Sequence, residues 1–217
     1  MMQLNYGGRM SFIVIEGANG AGKTSLIKSL SEKGYKTLSS PNGTPLAKML
    51  RPACRGAEPW TDIGQTTQFL LFSAARYDEY QRIVHNSKEL VFADRWWTST
   101  YVYQCMLQGI PVPFMEYTIH PEEKIDMVIL LDADDNVLVQ RVMDERKSNP
   151  SHGLCSWTTQ SQTIIDLANL YRKELLPYLS KRNIPWIQIN TTNLSKDDVL
   201  KSVEEHGETI RQKAGEK

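Results

Sequence analysis

Eight consecutive residues, Gly17-Ala18-Asn19-Gly20-Ala21-Gly22-Lys23-Thr24, fit the pattern G-x-x-x-x-G-K-[ST]. Glycines at these spacings let backbone N–H groups converge on phosphate oxygens with no Cβ in the way. Lys23 is placed to neutralise the β- and γ-phosphates, and the Thr24 hydroxyl to ligate Mg²⁺. The chemistry this implies is binding of, and phosphoryl transfer from, a nucleoside triphosphate. Gly17, Asn19, Gly20, Ala21, Gly22, Lys23, Thr24 and Ser25 form the expected ATP-binding set. A glycine-rich turn without a ligand is the plain alternative, and the flanking pattern argues against it. The apolar run Phe12-Ile13-Val14-Ile15 ends at Glu16-Gly17 and reads as a buried strand. From Thr24 onward, Leu26, Ile27 and Leu30 share a helical face, with Gly34 as the stop. The start of that helix directs its positive dipole end at the same anion.

Such a loop fixes the phosphate donor and leaves the acceptor open. The chain has no Asn-Lys-x-Asp segment of the kind that reads guanine in GTPases. Its strand-like runs end in Asp94-Arg95 and Asp132-Ala133, rather than in the adjacent acids that activate water in motors. A carboxylate beside an arginine suits a site that holds both Mg²⁺ and a second anion.

The elements that must position these groups alternate between strand and helix patterns. That order favours a parallel sheet with helices on both faces. Strands are expected at 12–15, 90–93, 127–131 and 186–189, with a shorter one at 35–38. Helices are expected at 24–33, 65–84, 136–146, 161–179 and 196–212. The fold class is therefore a three-layer α/β domain with a five-stranded parallel sheet, one domain over residues 1–217. Residues 1–9 are expected to be a flexible extension. The polar stretch 147–159, with Pro150 and Gly153, is expected to be a mobile lid.

The 217 residues carry 25 basic and 25 acidic side chains. A balance near zero argues against nucleic acid or an anionic membrane as the main partner. Cys54, Cys105 and Cys155 are far apart and lack metal-ligand spacing, so reduced thiols in a cytosol-like compartment are expected. The longest apolar runs are too short to span a bilayer, and the first ten residues lack a secretory apolar stretch. A cytoplasmic location is expected.

Four segments together resemble the thymidylate kinase family of nucleoside-monophosphate kinases. They are Phe12–Gly17 leading into Gly20–Thr24, Pro41–Ala47 with Leu50-Arg51, Leu70–Arg76, and Asp94-Arg95-Trp96 followed by Ser99-Thr100 and Tyr103-Gln104. The resemblance implies ATP-dependent phosphorylation of a deoxynucleoside 5′-monophosphate, with dTMP to dTDP as first choice, Mg²⁺ as cofactor and a homodimer as the assembly. Phe72 and Arg76, four apart on one helical face, would stack on the acceptor base and donate to its carbonyl. Arg95 would clamp the acceptor phosphate and stabilise charge during transfer. Asp94 would organise Mg²⁺ through water. Thr100 and Gln104 would face the pyrimidine edge, and Tyr103 would lie against the deoxyribose. Arg51 would approach the acceptor phosphate, and Tyr171 the acceptor base. Ordinary packing, a surface ion pair or a solvated charge is the alternative at each of these positions.

The chain departs from the family pattern in several places. Asn19 stands where a carboxylate usually contacts the acceptor 3′-OH. Ser39-Ser40-Pro41 replaces Arg-Glu-Pro, and Trp96 follows the Asp-Arg pair. The 147–159 stretch holds only Lys147 and His152 as basic groups, so Arg141 and Arg146 are the donor-side candidates, Arg146 as a catalytic charge beside Lys23 and Arg95. Two alternatives stay open: a deoxynucleoside kinase acting on a 5′-hydroxyl, and a nucleotide-gated binding protein that has lost catalysis.

Overall fold

The computed structural model describes residues 11–148 and 160–215, apart from 58, 86 and 122. The expected extension at 1–9, the part of the expected lid from 149 to 159, and Cys155 lie outside the described residues. Residues 147 and 148 close a helix.

The sheet is built from β1 (Phe12–Glu16), β2 (Lys36–Ser39), β3 (Val91–Asp94), β4 (Met127–Asp132) and β5 (Trp186–Asn190). All pairs are parallel, in the order β2-β3-β1-β4-β5. Every residue of β1 is buried. Successive strand side chains point to opposite faces, so full burial requires helices on both. At the edge, β5 leaves Trp186 partly exposed and buries little besides Ile189. The three-layer α/β architecture read from the sequence is the one found.

The helices are α1 (Lys23–Glu32), α2 (Pro45–Cys54), α3 (Gln65–Glu79), α4 (Trp97–Thr100), α5 (Val112–Tyr117), α6 (Asp135–Ser148), α7 (Ser161–Leu170), α8 (Leu176–Lys181) and α9 (Lys196–Gly215). π-Helical turns continue three of them: Tyr80–Val84 after α3, Tyr101–Leu107 after α4, and Tyr171–Leu175 between α7 and α8. Wide turns of this kind concentrate at functional sites. Here the second and third pack against each other, and they carry Tyr103, Gln104 and Tyr171.

Register places the chemistry. Ile15 lies opposite Asp94 across the β1–β3 pair. Glu16-Gly17 and Asp94-Arg95 therefore leave the sheet side by side at its carboxyl edge, where open α/β sheets bind ligands. The helix α2 was not anticipated, although Thr44-Pro45 marks its start. Thr44 caps it by accepting a hydrogen bond from the Ala47 N–H at 3.1 Å, and Pro45 occupies the first turn.

Candidate active site

The loop between β1 and α1 is shaped by its glycines. Gly17 has φ +145°, and a Cβ there would come within 2.3 Å of the Leu131 carbonyl oxygen. Gly20 has φ +83°, and its Cβ would approach the Leu138 carbonyl oxygen to 2.5 Å. At Gly22, φ is +97° and a Cβ would meet no protein atom within 4 Å. Gly22 caps α1 without any side-chain hydrogen bond, so the first N–H groups of α1 are left for an anion. Thr24 and Ser25 are exposed in that first turn, while Ala18 and Ala21 are buried beneath it.

Lys23 is buried, and its ammonium donates to the carbonyls of Gly17 and Ala18, both at 2.8 Å. Burial, and next the neighbouring Arg95, lowers its pKa to about 7.

Arg95 is the junction of the site. It adopts φ +70°, a left-handed conformation that costs a non-glycine residue about 1–2 kcal/mol. That turn swings the side chain back over the carboxyl edge of the sheet. Its Nη2 donates to Asn19 Oδ1 at 3.2 Å. Its Nη1 donates to Ser99 Oγ at 3.1 Å and to the Tyr171 hydroxyl at 2.8 Å. The guanidinium also lies 5.3 Å from the centre of the Tyr103 ring. Tyr171 is buried and stands behind Arg95, away from the wall of the cavity that opens beside it. Its hydroxyl reaches the Glu16 carboxylate at 3.0 Å.

Beside Arg95 opens a cavity of about 830 Å³, within the size range of small-molecule sites. Asn19, Ser40, Pro41, Arg51, Arg55 and Arg95 line it. Phe72, Arg76, Thr100, Tyr103, Gln104 and Gln108 line it as well. Arg51 donates to the Pro41 carbonyl at 2.9 Å; burial and the adjacent Arg55 lower its pKa. Phe72 is half-buried with part of its surface on the cavity. Arg76 is buried and paired with Glu123 at 3.1 Å, and it donates to the Thr118 carbonyl at 3.1 Å. Its Nη1 is buried without a hydrogen-bond partner among the described residues, as is Gln108 Oε1. The end of α4 and the π-helical turn that follows it bring Thr100, Tyr103 and Gln104 to the cavity.

On the donor side, Arg141 donates to the Gly20 carbonyl at 3.3 Å, to Thr191 Oγ1 at 2.9 Å and to the Thr191 carbonyl at 2.8 Å. It pins the loop to the end of β5. Arg146 is exposed in the last turn of α6, without a hydrogen bond or ion pair to another described residue. The other strand-end acid, Asp132, is held by Arg172 at 2.6 and 2.8 Å and is a structural partner.

The residues fit Mg²⁺. Asp94 Oδ1 is buried without a hydrogen-bond partner among the described residues, and the Thr24 hydroxyl is exposed at the start of α1. Mg²⁺ retains several waters and takes only one or two protein oxygens beside substrate phosphates, so one hydroxyl and one carboxylate suffice.

Four residues of the site escaped the sequence reading. Glu16 is fully buried beneath Arg95. Glu123 neutralises Arg76 from 47 residues away. Arg55 joins Arg51 on the cavity wall, one helical turn further along; that spacing was the available signal. Glu79 accepts from Ser40 Oγ at 2.5 Å, Asn42 N–H at 2.7 Å and Gly43 N–H at 2.6 Å, clamping the loop that supplies Pro41. Cys54 and Cys105 are buried free thiols, both pushed up to about 11 by burial, which suits inert packing.

A family model described as thymidylate kinase matches residues 15–202. A probable thymidylate kinase of Sulfurisphaera tokodaii is 30% identical over 176 residues, covering 78% of this chain and 88% of its own length. A probable thymidylate kinase of Methanococcus maripaludis is 37% identical over 139 residues, covering 63% and 67%. The crystal structure of thymidylate kinase from Ehrlichia chaffeensis superposes with a TM-score of 0.63 at 20% identity, covering 90% of this chain and 97% of that one. The last likeness concerns the fold.

Proposed function

The chain belongs to the thymidylate kinase family, and from that premise we propose that it transfers the γ-phosphate of ATP to dTMP, giving dTDP and ADP. It is a nucleoside-monophosphate kinase and works on nucleotide substrates. The observation that carries the reading is the hydrogen bond from Arg95 to Asn19 at 3.2 Å, because it joins the phosphate cradle to the acceptor cavity through one guanidinium.

The acceptor is already an anionic phosphate, so transfer needs no general base. Glu16, the carboxylate nearest the loop, is buried and accepts four hydrogen bonds. It is therefore unsuited to deprotonate a 5′-hydroxyl, which speaks against a deoxynucleoside kinase. Catalysis consists of alignment and charge neutralisation. Lys23 and the first N–H groups of α1 hold the donor phosphates. Arg95, with Arg51 and Arg55, holds the acceptor phosphate in line. Phe72 stacks on the base, while Arg76, Thr100 and Gln104 face its polar edge. Tyr103 lies against the deoxyribose, where its ring disfavours a ribose 2′-hydroxyl. Thr24 and Asp94 would hold Mg²⁺, which would supply neutralisation of the donor's phosphate charge. Arg141 steadies the loop, and Arg146, in the last turn of α6, supplies the remaining donor-side charge.

The proposal includes one domain over residues 1–217, a homodimer and a cytoplasmic location. Leu70 and Tyr77, seven apart on α3, are exposed, which supports the dimer. No helix among the described residues is long and apolar enough to cross a membrane. Coupled ADP release with ATP, Mg²⁺ and dTMP, dUMP, dCMP, dGMP or dAMP tests the acceptor. The highest kcat/KM is expected with dTMP. ATP binding without turnover of any monophosphate would favour a binding protein instead.

A further inference from the structure

We propose that Glu16 is a positioning residue that sets the acceptor-phosphate clamp by fixing the proton directions of two hydroxyls under Arg95. The inference rests on the reading that Arg95 holds an acceptor phosphate.

Glu16 closes β1 and has no exposed surface. Its Oε1 accepts from Thr98 Oγ1 at 2.5 Å and from the Trp96 N–H at 3.3 Å. Its Oε2 accepts from Ser99 Oγ at 2.7 Å and from the Tyr171 hydroxyl at 3.0 Å. A carboxylate oxygen accepts, and with the single proton of each hydroxyl given to Oε2 the 3.1 Å contact between Ser99 Oγ and the Tyr171 hydroxyl carries none. Each then turns its lone pairs away from Glu16, and Arg95 Nη1 donates to both, at 3.1 and 2.8 Å. Burial and the Glu16 carboxylate push the Tyr171 phenol well above its ordinary range, so it stays a donor.

The geometry divides the guanidinium into a held side and a presented side. Nη1 is fixed by the two hydroxyls, with Glu16 Oε2 only 3.8 Å away. Nη2 points toward Asn19 at the mouth of the cradle. Anchoring of this kind limits rotation about the last bonds of a long, rotamer-rich side chain. It also supports the left-handed backbone at Arg95, since Trp96 N–H, Thr98 and Ser99 tie the following turn to the same carboxylate.

Glu16→Gln keeps the shape and reverses one polarity. Its amide nitrogen donates to Ser99 or Tyr171, and that hydroxyl then turns its proton toward Arg95. The test is calorimetric binding of dTMP and of thymidine, which lacks the phosphate, to wild type, Glu16→Gln, Arg95→Ala and the double variant. Glu16→Gln is expected to weaken dTMP at least tenfold, to leave thymidine within twofold, and to add less than twofold on the Arg95→Ala background. Unchanged dTMP affinity would overturn the inference. So would an equal loss for thymidine, or a loss that persists without Arg95, because a merely structural role predicts those. If Glu16→Gln does not fold, Ser99→Ala/Tyr171→Phe removes both relays and is held to the same three criteria. Wild type that binds dTMP no better than thymidine would overturn the phosphate-acceptor reading and this inference with it.

Discussion

Lys23 lies between burial, which opposes its charge, and two loop carbonyls that accept its hydrogen bonds. Its pKa of about 7 is below the ordinary 10.5. The unfolded chain therefore binds the extra proton between those values, and Lys23 opposes folding below pH 7, less so as pH rises toward 10.5. A triphosphate against Nζ favours the charged form and raises the value again. At pH 8, where phosphate esters are ionised, ATP binding should therefore take up a large fraction of a proton. Titration calorimetry in two buffers of different ionisation enthalpy checks this, with the uptake lost in Lys23→Met; buffer-independent heats in wild type would contradict it. The Arg76–Glu123 pair is a second residue-scale case, with 3% and 0% of the side chains exposed. Removing one partner of such a pair costs about 3–5 kcal/mol, so Glu123→Ala should lower Tm by roughly 10 °C by calorimetry. A change within about 3 °C would mean that Arg76 is neutralised by other groups. The family resemblance pointed to Arg76, one helical turn from Phe72, but nothing local pointed to Glu123. It lies in an irregular stretch after α5, and only the tertiary fold brings the charges together.

The glycine loop makes a prediction at the scale of an element. Gly20→Ala drives a Cβ into the Leu138 backbone, so the loop must lift off α6 and both folding and activity should fail. Gly22→Ala meets no protein atom within 4 Å and bears only the left-handed penalty of about 1–2 kcal/mol. It should fold with a Tm lowered by a few degrees and bind ATP poorly, because its methyl stands over the helix N-terminus. Thermal melts beside ATP binding separate the two; Gly22→Ala that unfolds, or Gly20→Ala that works, would contradict the geometry. The strand runs and the 3.6-residue periods of α1, α3 and α9 were legible because apolar spacing reports burial directly. The π-helical turns were not. Tyr101–Leu107 widens to pack against Tyr171–Leu175, a tertiary demand with no local code. For the same reason Tyr171, expected beside the base, stands behind Arg95 instead.

At the scale of the molecule, the strand order brings residues 16–17 beside residues 94–95, so two distant segments complete one centre. The alternation of strand and helix made the fold class legible, whereas the composition of the clamp depended on which strands became neighbours. On the outer surface Met49 is 68%, Leu70 45% and Tyr77 40% exposed, on the packed helices α2 and α3. Sedimentation at micromolar concentration should give a dimer, and Leu70→Asp/Tyr77→Asp a folded monomer; a monomeric wild type would contradict the proposed assembly. The most direct test of the central claim is the identity of the product. Incubation with ATP and Mg²⁺, followed by chromatography, should convert dTMP to dTDP and leave thymidine untouched. Phosphorylation of thymidine to dTMP, or no dTDP under conditions where ATP binds, would contradict it.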